Sequence, residues 1–71
     1  MSSGNSYLKN LKKLRNKKDW TQERLARESG ISFHTLIKIE SGRIKNPRLE
    51  TLIKLAKALG VSIDKLVGSQ K

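Results

Sequence analysis

The sequence predicts an all-α fold, a compact arrangement of five short helices in which the second and third form a helix-turn-helix. Three observations carry this prediction. Apolar residues recur three and four positions apart along the chain, and no segment shows the strict alternation of a half-buried strand. Ser or Thr precedes several of these periodic segments and Gly follows them, the expected order of helix start and stop signals. The chain has 71 residues, 35% of them hydrophobic, and no cysteine. Stability must therefore come from packed helices, without disulfides or a thiolate zinc site. One domain of this size should be stable by about 4–10 kcal/mol, at ~0.05–0.15 kcal/mol per residue.

In chain order, residues 1–5 read as a flexible lead-in, 6–67 as the domain and 68–71 as a frayed tail. Leu8, Leu11 and Leu14 mark one face of an amphipathic first helix from about Ser6 to Lys17. Lys9, Lys12, Lys13 and Lys17 occupy the rest of its surface, and solubility is the role expected of them and of Lys18. Trp20 should pack back onto Leu25 as a hydrophobic staple. Thr21 caps the second helix, whose inner face carries Leu25 and the small Ala26, and Gly30 ends it in a left-handed conformation. Ser32 caps the third helix, with Leu36 and Ile39 inward. Arg24 and Thr35 stand where Glu or Gln would complete a capping box. With only Gly30-Ile31-Ser32 between them, the two helices form a helix-turn-helix, and the third has the position of a DNA-reading element.

Residues 41–47 form a basic loop, in which Gly42 suits a helix stop and Asn46-Pro47 a turn or the next helix start. Leu49, Leu52, Ile53, Ala56 and Leu59 are read as the inner stripe of a fourth helix that Gly60 ends. Ser62 caps a fifth, Asp64 complements its dipole, and Ile63, Leu66 and Val67 are its apolar residues.

Sixteen Lys and Arg against six Asp and Glu give a net charge of +10. Such an imbalance favours a polyanion, with nucleic acid the first candidate. No run approaches the ~18 apolar residues of a membrane span. Surface binding to a membrane would expose the leucines of the first helix, which the core requires. The first six residues lack the charged start and apolar stretch of a signal peptide, so a cytoplasmic location is expected. One histidine, no cysteine and no carboxylate pair in an evident pocket argue against an enzyme and against a metal or other cofactor.

From Leu8 to Val67 a set of landmarks appears in order: Thr21-Gln22-Glu23-x-Leu25-Ala26, Gly30-Ile31-Ser32, Leu36-x-x-Ile39-Glu40-x-Gly42, Pro47, and Leu55-Ala56-x-Ala58-Leu59-Gly60-Val61-Ser62. With these the chain resembles the lambda-repressor-like (Cro/repressor, xenobiotic-response-element) helix-turn-helix family. The resemblance implies a five-helix domain that lays its third helix in the major groove of double-stranded DNA, usually as a homodimer on an inverted-repeat operator. It implies phosphate contact or positioning by Thr21 and Gln22, base reading by Phe33, His34 and Lys38, and a phosphate or base contact by Thr35. Arg43 and Lys45 would meet phosphates, and Arg48 a phosphate or the minor groove. Arg15 and Glu40 match a buried salt bridge between the first and third helices. Dimerisation is expected among Val61 to Val67.

The chemistry of the reading residues agrees with such a role. Lys38 and His34 can donate to guanine O6 or N7, and Phe33 can lie against a thymine methyl. The expected function is a sequence-specific transcriptional regulator, most simply a repressor. The alternative is a co-regulator or antitoxin-type module whose third helix meets a protein partner through Phe33 and Ile37. Partial core burial of Phe33 is a further alternative for that residue.

Overall fold

Each helix begins and ends where local chemistry can satisfy its unpaired backbone groups. A computed structural model describes Leu8 and residues 10–67, and in it α1 (Leu11–Lys17), α2 (Gln22–Ser29), α3 (Phe33–Glu40), α4 (Leu49–Leu59) and α5 (Ile63–Val67) follow in order. No strand occurs among the described residues. The lead-in, Ser6, Lys9 and the tail from residue 68 lie outside them.

Three expected caps are present. The hydroxyl oxygens of Thr21, Ser32 and Ser62 accept from the backbone N–H groups of Arg24, Thr35 and Lys65 at 3.0, 3.1 and 3.2 Å. Gly30 ends α2 at φ +77°, a conformation that carries little steric cost only without a Cβ. Both its N–H and that of Ile31 donate to the Ala26 carbonyl, so the chain reverses within the turn.

The first helix is shorter than its leucine spacing suggested. It starts at Leu11, not near Ser6; Leu8 is buried but non-helical, and the Leu11 N–H donates to its carbonyl across a turn. A three-residue apolar period fits such an i, i+3 turn as well as a helix, so periodicity alone misplaces the boundary. Asn10 forms no side-chain cap; its amide Nδ2 donates to the Lys65 carbonyl at 2.7 Å, tying the start of α1 to α5.

Leu8, Leu11, Leu25, Ala26, Leu36, Ile39, Leu52, Leu55, Ala56, Leu59 and Leu66 make one core. Within it α2 packs on both α3 and α4, α4 on α5, and α5 on α1. Trp20 joins the edge of this cluster, to which Leu25 belongs, with Lys18 Nζ and Arg24 Cζ each 5.0 Å from its ring centroid. The expected inner stripe of α4 needs correction. Leu55 is fully buried beside Leu52, Ala56 and Leu59, while Leu49 is 64% and Ile53 40% exposed. Ile53 lies about 100° round the helix from Leu52, beyond the reach of α2 and α5.

Candidate nucleic-acid interface

The orientation of α3 follows from what its inner face buries. Leu36 and Ile39 are fully enclosed, so the helical period turns His34 and Lys38 outward. Both are exposed, and Phe33 is exposed beside them. Its ring meets the His34 imidazole edge-on, with centroids 6.1 Å apart and planes at 66°. The structure thus puts His34 and Lys38 on the outward face, one turn apart, with Phe33 on its flank against His34. Phe33 is not a member of the core cluster, and 37% of its surface stays exposed. Ile37 is half-buried next to this face and outside the core cluster.

Thr35 stands at the edge of the face. Its hydroxyl oxygen accepts a hydrogen bond from Ser32 at 3.0 Å and keeps its own proton free to donate. Together with Ile44, Pro47 and Arg48 it lines a 240 Å³ depression between α3 and the following loop.

At the other end of α3, Glu40 is the junction of three helices. Arg15 Nε donates to Glu40 Oε2 at 2.8 Å and Arg15 Nη2 to Oε1 at 3.0 Å, a bidentate pair. Arg15 Nη1 donates to the Trp20 carbonyl at 2.9 Å. Gln22, at the first position of α2, adds a third donor to the same carboxylate, Nε2 to Oε1 at 2.9 Å. The Arg15 and Glu40 side chains are only 10% and 3% exposed. Among the described residues no buried side-chain polar atom lacks a partner, which is the condition under which an enclosed ion pair is tolerated.

Sequence reasoning did not foresee the link from Gln22 to Glu40. One Gln22 amide hydrogen is committed to Glu40, and the second remains available, beside the open first-turn amides of α2, to a phosphate. Thr21 is exposed, and its hydroxyl can still donate while accepting from the Arg24 N–H.

The basic loop is held to α3 by backbone bonds from the Ser41, Gly42 and Ile44 N–H groups to the Ile37, Ile39 and Lys38 carbonyls, the last at 3.1 Å. Ile44 packs against the core, so its neighbours Arg43 and Lys45 project to solvent on either side of that anchor. Arg48 caps α4 by backbone alone and is likewise exposed. Among the described residues, Lys38, Arg43, Lys45 and Arg48 form no ion pair, and no group of acidic, His or Cys side chains is placed to hold a metal. Cationic side chains without counter-charges therefore frame an exposed helix face whose orientation is set by the core and the Glu40 junction.

Comparison with known proteins bears on the family of the chain. A helix-turn-helix family model matches residues 11–66. The chain is 47% identical over 58 residues to the uncharacterized HTH-type transcriptional regulator y4dJ of Sinorhizobium fredii, covering 82% of this chain and 74% of that protein. It is 48% identical over 48 residues to the cryptic phage CTXphi transcriptional repressor RstR of Vibrio cholerae, covering 68% of this chain and 42% of the repressor. It is also 46% identical over 44 residues to an HTH-type transcriptional regulator of Methanocaldococcus jannaschii, covering 62% and 65% of the two chains. The chain thus spans less than two thirds of the latter two relatives. No solved structure matches it.

Proposed function

Because the chain belongs to the Cro/repressor-type helix-turn-helix family and is a DNA-binding transcriptional regulator, we propose that it is a repressor that reads an inverted-repeat operator as a homodimer in the cytoplasm. It acts by binding, with α3 in the major groove. The observation that carries this reading is the joint exposure of Phe33, His34 and Lys38 on a helix whose opposite face is locked in the core. Lys38 and His34 donate to guanine acceptors and Phe33 covers a thymine methyl. Thr21, Gln22, Thr35, Arg43 and Lys45 set the register on phosphates, which position a protein without specifying sequence. Arg48 meets the backbone or a narrow minor groove, where the negative potential is strongest. The ion pair of Arg15 with Glu40 holds the reading helix.

Selection of duplexes from a random library, followed by salt titration of the winner, tests this. An inverted-repeat winner that outcompetes random DNA near physiological salt is expected. Failure to enrich any sequence, with binding lost as salt rises, would leave only the non-specific attraction of a +10 chain. Lys38→Ala should then cost about 1–3 kcal/mol on the selected site and relax preference at one base pair. Gln22→Ala should weaken selected and random DNA alike. Equal losses on both DNAs for Lys38→Ala would remove it from the reading set.

A second reading rests on Phe33 and Ile37, two apolar side chains one turn apart on the flank of this face and outside the core cluster. A protein partner seated there would bind with little salt dependence, unlike DNA.

We propose α4 as the dimer face in place of Val61–Val67, where Val61, Ile63 and Val67 are already partly buried against the chain's own core. Leu49 and Ile53 are exposed one turn apart, beside Glu50, whose Oε2 is 3.9 Å from Lys54 Nζ. An antiparallel pairing of two α4 helices sets Leu49 of one copy on Ile53 of the other, with Glu50 facing Lys54, a self-complementary pattern suited to two-fold symmetry. Ile53→Glu should weaken dimerisation at least about tenfold, from the ~1.5–3 kcal/mol that a large buried apolar side chain contributes. Sedimentation equilibrium reads this; an unchanged dimer constant moves the interface elsewhere.

A further inference from the structure

A second cationic feature lies between α1 and α5. Lys13 and Lys17, one turn apart on α1, and Lys65 on α5 border a 220 Å³ cavity whose remaining walls are Asn10 and Leu14. The hydrogen bond from Asn10 to the Lys65 carbonyl fixes the two helices against each other at this point. Among the described residues none of the three ammonium groups is in an ion pair, and Asp64, beside Lys65 in the chain, forms none with it. The three exposed lysines thus border one depression, with the half-buried Leu14 as its apolar wall.

The cavity is turned away from the reading helix. Lys13 and Lys17 each stand two positions from Arg15, about 200° round the helix. Arg15 points to Glu40 at the end of α3, so the lysines occupy the opposite side of α1. A duplex lying on α3 therefore approaches a different face. The cavity is also smaller than the ~300–1,000 Å³ of pockets for drug-sized ligands, which favours a compact anion over a peptide chain.

We propose that the cavity between α1 and α5 is a small-anion site that takes a ligand with two or more phosphate charges, such as pyrophosphate or the diphosphate of a nucleotide. Lys13, Lys17 and Lys65 neutralise the phosphates, and the second amide hydrogen of Asn10 donates to a phosphate oxygen. The apolar wall of Leu14 accommodates whatever uncharged body the phosphates carry. This site stands independently of the operator reading.

The test is calorimetric titration of the whole chain with inorganic pyrophosphate at fixed ionic strength. The variants compared are K13Q/K17Q and, as a control of equal charge change, R43Q/K45Q. All four residues are exposed, so both variants should fold. Saturable binding at one equivalent is expected, weakened about tenfold in K13Q/K17Q and less than about twofold in R43Q/K45Q. Equal losses in both variants, or no saturation, would show general charge attraction and overturn the site. A parallel titration with ADP identifies the source: tighter binding than pyrophosphate assigns a nucleotide, and equal binding the phosphates alone. A random duplex that loses as much affinity as pyrophosphate in K13Q/K17Q would make the groove part of the DNA surface, and the proposal would fail.

Discussion

Glu40→Ala is expected to lower the free energy of unfolding by about 3–5 kcal/mol, the usual consequence of leaving one member of a buried ion pair without its partner. The substitution removes the acceptor of Arg15 Nε, Arg15 Nη2 and Gln22 Nε2 together, and it strands a guanidinium that is only 10% exposed. For a chain of this length, with total stability of about 4–10 kcal/mol, that loss is large enough to populate unfolded molecules without denaturant. Urea denaturation followed by circular dichroism measures it. The double variant Arg15→Met with Glu40→Leu should recover most of the loss, because replacing both charges also removes their desolvation cost. A single-variant loss under about 0.5 kcal/mol would place the pair with ordinary exposed salt bridges and leave α3 held by Leu36 and Ile39 alone.

Leu55→Ala should cost about 2–5 kcal/mol, as truncation of an enclosed leucine does where neighbours cannot collapse into the space. Leu49→Ala, in the same helix and with the same change of side chain, should stay within about 0.5 kcal/mol when unfolding starts from monomer. The contrast follows from burial: Leu55 is fully enclosed and Leu49 is 64% exposed. Paired urea melts at a protein concentration low enough to dissociate dimers separate the two terms. Comparable losses in both variants would mean that α4 is rotated so that Leu49 also faces the core. Neither substitution touches the reading face, so residual folded Leu55→Ala protein should keep the sequence preference of the parent.

The features legible in the sequence are those decided within a few residues. The caps at Thr21, Ser32 and Ser62 each reach an amide three positions on, and the reversal at Gly30 needs only a missing Cβ. The inward faces of α2 and α3 were legible for the same reason, since Leu25, Ala26, Leu36 and Ile39 admit one buried side per helix. Exposure of His34 and Lys38 follows from that period without further information. The pairing of Arg15 with Glu40 came from resemblance to a family, because nothing in the spacing of residues 25 apart demands contact.

Local pattern failed where it allowed two answers. Leu8 fits a helix or a turn before one. In α4, apolar residues at 49, 52, 53, 55, 56, 58 and 59 cover more of the helix than a single neighbour can bury. The packing of α2 and α5 decided which flank became core. The same holds at the candidate sites. Gln22 and Glu40 are 18 residues apart, and Asn10 and Lys65 are 55 apart. Hydrogen bonds act over about 3 Å, so such pairs exist only after the helices have docked. The sequence by itself determined five helices, their caps, the turn and the outward side of α3. Only the tertiary structure decided that one carboxylate joins three helices and that three lysines surround a cavity on the far side of α1, because both depend on distances that side-chain packing alone sets.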